Sequence, residues 1–164
     1  GNRGLGSMVG IGPQSGIDVE KSIWVDAPVK EVFDFWADYQ NFPRFMSRVR
    51  EVRQIDETRS HWVVKGPAGT SAEWISEIRK IVPEQLIAWC TDGESTVQHS
   101  GAVRLRPEGK GTHVQVQLRY WPPAGDIGHA LAVVFRADPR RDMHADLLRM
   151  KQAIESGRPP HAAV

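Results

Sequence analysis

Apolar and polar residues alternate along most of this chain, and the alternation is cleanest over residues 112–121. There Val114, Val116, Leu118 and Tyr120 point one way and His113, Gln115, Gln117 and Arg119 the other. A period of two with one polar side predicts an antiparallel strand with one wet face. The same period predicts a strand over 17–26, with Val19, Lys21, Ile23 and Val25 set against Glu20, Ser22 and Trp24. It recurs over 59–65, where Trp62 and Val64 oppose His61 and Val63. Over 70–82, Ala72, Trp74, Ser76 and Ile78 oppose Glu73, Ile75, Glu77, Arg79 and Ile81. Over 96–106, Val97, His99, Gly101, Val103 and Leu105 share one side. Residues 49–56 are polar and irregular, which predicts a bulged edge strand. Residues 85–91 form a strand that is apolar on both faces from Leu86 to Trp89. Turns fall at 66–69, at Asp92-Gly93 and at 108–111, where glycine recurs.

The spacing changes to the helical period in three places. Val29, Val32, Phe33 and Trp36 predict a short helix over 28–37, with Asp26 as its cap and Pro28 in its first turn. The aromatic run 41–46 predicts a short helix or turn, and 128–137 a short apolar helix after Pro122-Pro123 ends the last strand. The longest helix is predicted over 139–156. Asp138 can cap it, Pro139 occupies a position where a missing N–H is harmless, and Gly157, Pro159 and Pro160 stop it. Met143, Leu147, Met150 and Ile154 make one apolar stripe, and Arg141, His144, Arg149, Gln152 and Glu155 cover the rest. Such a helix is about 27 Å long, and the sheet is the only large surface available to its stripe. The expected fold class is α+β, with a curved antiparallel sheet closed around the C-terminal helix.

A chain of 164 residues can bury a full core as one domain. The expected organisation is an N-terminal tail over 1–16, one folded domain over 17–157 and a short tail over 158–164. A net charge of +1 argues against nucleic acid as a partner. No apolar run nears the ~20 residues of a membrane span, so integral membrane association is not expected. The single cysteine, Cys90, fits a cytoplasmic location. The six histidines are scattered, so no metal is expected, and without a P-loop or a dinucleotide fingerprint no nucleotide cofactor is expected either.

The order strand, two short helices, six strands and long helix is carried by particular phrases. These are DAPVKEVFDFWADYQNFPRFM, SHWVVKGPAGTSAEWISEI, VQHSGAVRLRP, THVQVQLRYWPPAG and DLLRMKQAIESG. With them the chain resembles the START-like (SRPBCC) superfamily, and within it the polyketide cyclase/dehydrase and coenzyme Q-binding group. The resemblance covers 17–157. It implies a helix-grip fold, a seven-stranded curved antiparallel sheet wrapped around the C-terminal helix with an apolar cavity between them. Many members of the group bind or carry lipophilic molecules, so the family name is weak support for an enzyme.

Strand-face parity sends Trp74, Ile78, Val97, His99, Val103, Leu118 and Tyr120 inward. Met143, Leu147 and Met150 would face them from the helix, and Phe35, Phe45 and Met46 could close one end. Aromatic and methionine side chains suit a greasy, partly planar ligand; the plainer alternative is that they fill a solid core. His99 is the leading polar candidate. Gly101 beside it leaves room, and a neutral imidazole there could orient a ligand carbonyl or act as acid or base. Tyr120 could add a second hydrogen bond. Glu73 and Glu77 read as paired charges on the outer face rather than a catalytic pair. Residues 66–69 and 122–128 are the candidate gates. The expected function is binding of a hydrophobic small molecule such as a lipid, an isoprenoid quinone or a polyketide-like aromatic. One alternative is a cyclase or dehydratase using His99 and Tyr120. Another is a protein-interaction module with a filled core. A bulged second strand and an exposed Trp24 could serve a homodimer.

Overall fold

The computed structural model describes residues 16–65, 69, 71–95, 98–121 and 139–157, with side chains of the last segment from 141 onward. Strand β1 (Ile17–Val25) leads into helix α1 (Val29–Ala37), a single tight turn over Tyr39–Asn41 and the short helix α2 (Phe42–Phe45). Six strands follow: β2 (Val49–Gln54), β3 (Arg59–Lys65), β4 (Ser71–Val82), β5 (Leu86–Thr91), β6 (Gln98–Glu108) and β7 (Gly111–Trp121). Helix α3 (Pro139–Ser156) closes the chain. The strands form one seven-stranded sheet in the order β1-β7-β6-β5-β4-β3-β2, every neighbouring pair antiparallel. The predicted alternation holds, with the inward sides of β1 and β7 apolar apart from Lys21, Thr112 and Tyr120. The predicted helix over 128–137, the gate 122–128, residues 66–68 of the other gate, Val97, Asp138 and both tails lie outside the described residues.

Helix α3 packs on β1 and α2 through the predicted stripe. Leu147, Met150 and Ile154 are buried in the larger apolar cluster, with Met143 at its margin. That cluster also holds Val32 and Trp36 of α1, Phe45 of α2, and Val103, Leu105, Val114 and Val116 of β6 and β7. A second, smaller cluster lies toward the far end of the sheet, built from Val49, Val52, Val64, Ala72 and Trp74. Phe42 and Met46 touch both. Polar ties hold the layers in place. Arg149 donates from Nε to the Phe45 carbonyl at 2.9 Å and also contacts Asp146. Lys151 donates from Nζ to the Trp24 carbonyl at 2.8 Å and stands over the Trp24 ring.

Three expectations are corrected. Asp26 does not cap α1: Pro28 holds that position without a side-chain bond. The Asp26 N–H instead donates to Glu155 Oε2 at 2.8 Å, so the last turn of α3 fixes the corner between β1 and α1. The pairing of β4 with β5 shifts register between Ile78 and Lys80. The extra residue turns Ile81, read as outward, to the side of its partner Ile87 at the sheet's end, where it remains 51% exposed. Trp24 is half-buried rather than exposed, its Nε1 donating to the Glu108 carbonyl at 3.0 Å and its ring standing beneath Lys151 Nζ.

Candidate functional site

Registering the strands reveals a line that no single strand displays. Ser60 of β3 pairs with Ser76 of β4, and Ser76 pairs with Thr91 of β5. The Thr91 hydroxyl accepts the His99 backbone N–H at 3.1 Å, and His99 of β6 pairs with Tyr120 of β7. One row of polar side chains therefore crosses the concave face of five adjacent strands. Trp62 and Trp74 flank it on one side; Ile78, Trp89 and Leu118 flank it on the other. Ser60, Ser76 and Thr91 are buried. Local bonds satisfy part of the row. Ser60 accepts from Trp62 Nε1 at 2.9 Å and shares a bond with the Tyr39 hydroxyl, whose ionisation burial holds above the usual tyrosine range. Thr91 Oγ1 also contacts Gln98 Oε1 at 3.2 Å.

His99 is the exception. Its residue keeps some exposed surface, yet Nδ1 and Nε2 are both sealed from solvent and neither has a hydrogen-bond partner among the described residues. Burial without a compensating charge pushes its pKa down to about 4, so the ring is neutral at pH 7. A neutral imidazole carries one N–H and one lone-pair nitrogen. The edge of one ring meets the face of the other between His99 and Trp74, centroids 4.8 Å apart and planes at 84°. Trp74 Nε1 is also buried and unpartnered. Three unpaired ring nitrogens thus lie on two touching side chains. Two further unpaired nitrogens, Trp36 Nε1 and His61 Nδ1, are elsewhere. Burial raises the pKa of Tyr120 and keeps its phenol protonated.

The residues singled out from sequence separate into two groups. Trp74, His99 and Tyr120 come together, with Leu118 one pair along β7 and Ile78 one pair beyond Ser76 on β4. Val103, Phe45, Leu147 and Met150 are at most 2% exposed inside the larger cluster. Val103 stands four residues along β6 from His99, about 13 Å away at strand rise. Phe35, Met46 and Met143 are partly buried at that cluster's margin, with the Phe35 and Phe45 rings 5.6 Å apart. Gly101 does not leave open room. The Trp89 indole covers it so closely that a Cβ there would stand 2.4 Å from Trp89 Cζ2. Sequence reading missed Trp89 because it sits in a strand apolar on both faces, and missed the serine–threonine row because that row exists only after registration.

Other candidates fall on the outer face. Glu73 meets His61 at 2.8 Å and Glu77 meets Arg79 at 3.2 Å, as exposed pairs. Cys90 borders an open groove of about 830 Å3 on that face, with Ala88, Ser100, Ala102 and the Asp18–Arg119 pair. Among the described residues, no helix is long and apolar enough to cross a membrane.

A family described as polyketide cyclase/dehydrase and lipid transport matches residues 25–148. An uncharacterised 17.2 kDa protein from the melC2-rnhH intergenic region of Streptomyces lincolnensis is 32% identical over 139 residues, covering 84% of this chain and 89% of that protein. The crystal structure of DR_A0006 from Deinococcus radiodurans is similar with a TM-score of 0.69 and 27% identity, covering 87% of this chain and 99% of that one. The Zhui aromatase/cyclase of a Streptomyces species shares the fold with a TM-score of 0.68 at 20% identity, covering 85% and 94% of the two chains.

Proposed function

We propose, for a chain that belongs to the polyketide cyclase/dehydrase and lipid transport family, that its concave face binds a hydrophobic small molecule beside Trp74 and His99. A lipid, an isoprenoid quinone and a polyketide-like aromatic are the classes in view. One observation carries the reading. His99 and Trp74 keep three unpaired nitrogens on a face otherwise lined by Trp62, Ile78, Trp89 and Leu118. A core evolved only for packing gains nothing from such atoms, because each unmade bond costs about 1–3 kcal/mol. A ligand that supplies the missing partners recovers that cost on binding, while the aromatic walls supply apolar contact area.

The register pair His99–Tyr120 also fits a cyclase or dehydratase, with the imidazole as base and the phenol as donor. A pKa of about 4 makes this imidazole a weak base near neutrality, which favours orientation over proton transfer. The deciding experiment is mass spectrometry of the protein purified from its own organism, under native conditions and after solvent extraction. A defined apolar molecule in near-stoichiometric amount is expected. An empty protein, with no thermal shift against lipids, quinones and aromatic polyketides, overturns the reading and favours a filled core that binds a protein partner.

A further inference from the structure

We propose that two copies of this chain pair edge to edge through β2, in an antiparallel register centred on Val52, to make one continuous sheet. Among the described residues the sheet ends at β2. The Ile55 N–H donates to the Arg59 carbonyl at 2.9 Å. Alternation then turns the N–H and C=O of Glu51 and Arg53 toward β3 and those of Val52 and Gln54 away from it. Outward backbone groups on an edge strand are a template for another strand. The bulge lies between Val49 and Glu51, ahead of the regular pairs Glu51–Val63, Val52–Trp62, Arg53–His61 and Gln54–Ser60. It leaves the template regular at its centre.

The charges select the partner. Glu51 and Arg53 are exposed, share the outer face, and form no ion pair among the described residues. In the register centred on Val52, Glu51 of each copy stands opposite Arg53 of the other, twice by symmetry, as the closely spaced side-chain pairs of an antiparallel ladder. Val52 meets Val52 of the second copy on the axis, and Ile55, 41% exposed, comes opposite Val49. Moving one copy by two residues puts Arg53 against Arg53, or Glu51 against Glu51, so the neighbouring registers are repelled. Charged edges deter unrelated strands; this one is complementary to itself. The second copy extends the concave face at the end that carries the smaller apolar cluster, and the pairing does not depend on the ligand proposed above.

The test is sedimentation velocity over a concentration series at pH 7, on the natural chain and on two charge reversals. The contact is small, so a dimer that dissociates on dilution is expected. Glu51→Arg and Arg53→Glu should each weaken self-association about ten-fold or more, with the fold checked by circular dichroism. An equimolar mixture of the two variants should restore association, because opposite charges then face each other at both pairs between unlike chains. Residue-resolved amide exchange reads the geometry: the Val52 and Gln54 amides should exchange fast in dilute protein and become protected as the dimer forms. A natural chain that stays monomeric at every concentration overturns the proposal. Self-association that neither reversal weakens also overturns it, by placing the contact elsewhere, and so does a mixture that associates no better than its components. Protection of Val52 and Gln54 in the dilute monomer overturns it too, by showing that another segment of the same chain covers the edge.

Discussion

His99 should make the protein unusually sensitive to mild acid, and the size of the effect can be worked from its burial. The unfolded chain presents an ordinary histidine with a pKa of 6.5, while the folded site lowers it to about 4. The folded pKa is depressed, so the unfolded state takes up the proton first. The stability tied to the neutral ring is fully present above pH 6.5, declines as the pH falls, and is lost by about pH 4. The whole difference corresponds to about 3 kcal/mol, and about 2 kcal/mol of it is spent between pH 7 and pH 5. The assay is urea unfolding of ligand-free protein at those two pH values, for the natural chain and for His99→Leu. Carboxylates that titrate in this range are common to both proteins and cancel in the comparison. The natural chain should lose about 2 kcal/mol more than the variant. At pH 7 the variant should equal or exceed the natural chain by about 1–3 kcal/mol, since it removes two unpaired buried nitrogens. Equal losses in the two proteins would show that the His99 ring is solvated or paired, and the reasoning built on its unpaired nitrogens would fail.

Other side chains give sharper local expectations. Gly101→Ala forces a methyl to within 2.4 Å of Trp89 Cζ2 and should cost about 1–3 kcal/mol in thermal or urea unfolding. The same change made in a Trp89→Leu background should cost clearly less, because the two residues are coupled through one contact. Thr91→Val keeps the volume but removes the acceptor of the His99 backbone N–H, and should lower stability by about 1–3 kcal/mol. Arg149→Met severs the bond from Nε to the Phe45 carbonyl and should speed amide exchange across residues 42–46 more than in β6 or β7. Uniform exchange across those segments would count against α3 as the anchor of α2.

Much of the fold could be read from alternation because the sheet has one wet face. In β7, reversing a single residue's side would bury Gln115, Gln117 or Arg119, so parity is over-determined there. The C-terminal helix was legible for a similar reason, since its stripe and its stops agree. Alternation failed at Ile81 because the register shifts between Ile78 and Lys80, and with Arg79 and Lys80 both polar the pattern does not record that one of them is an extra residue. The cap at Asp26 failed for another reason. The sequence around it has the form of a helix start, but Glu155 competes for its backbone from the far end of the chain, and no local pattern records a partner that distant.

The site was legible only in part because it is defined across strands rather than along them. His99 stood out from parity alone, and so did Tyr120. Ser60, Ser76 and Thr91 each look like a small polar residue tolerated inside an apolar strand. Registration turns the three into a line leading to His99, and the bonding pattern then separates tolerance from function. The hydroxyls of Ser60 and Thr91 are engaged by neighbours in the fold, the Trp62 indole and the backbone N–H of His99. The imidazole and the Trp74 indole at the middle of the face are not. Random drift toward polarity would leave unpaired atoms scattered, as Trp36 and His61 are, each at the cost of a lost bond. Two touching rings that keep all three of their nitrogens unpaired concentrate that cost at one point. Among the described residues no group completes the arrangement, and so the argument for the proposed ligand rests on His99 and Trp74 together rather than on the apolar lining.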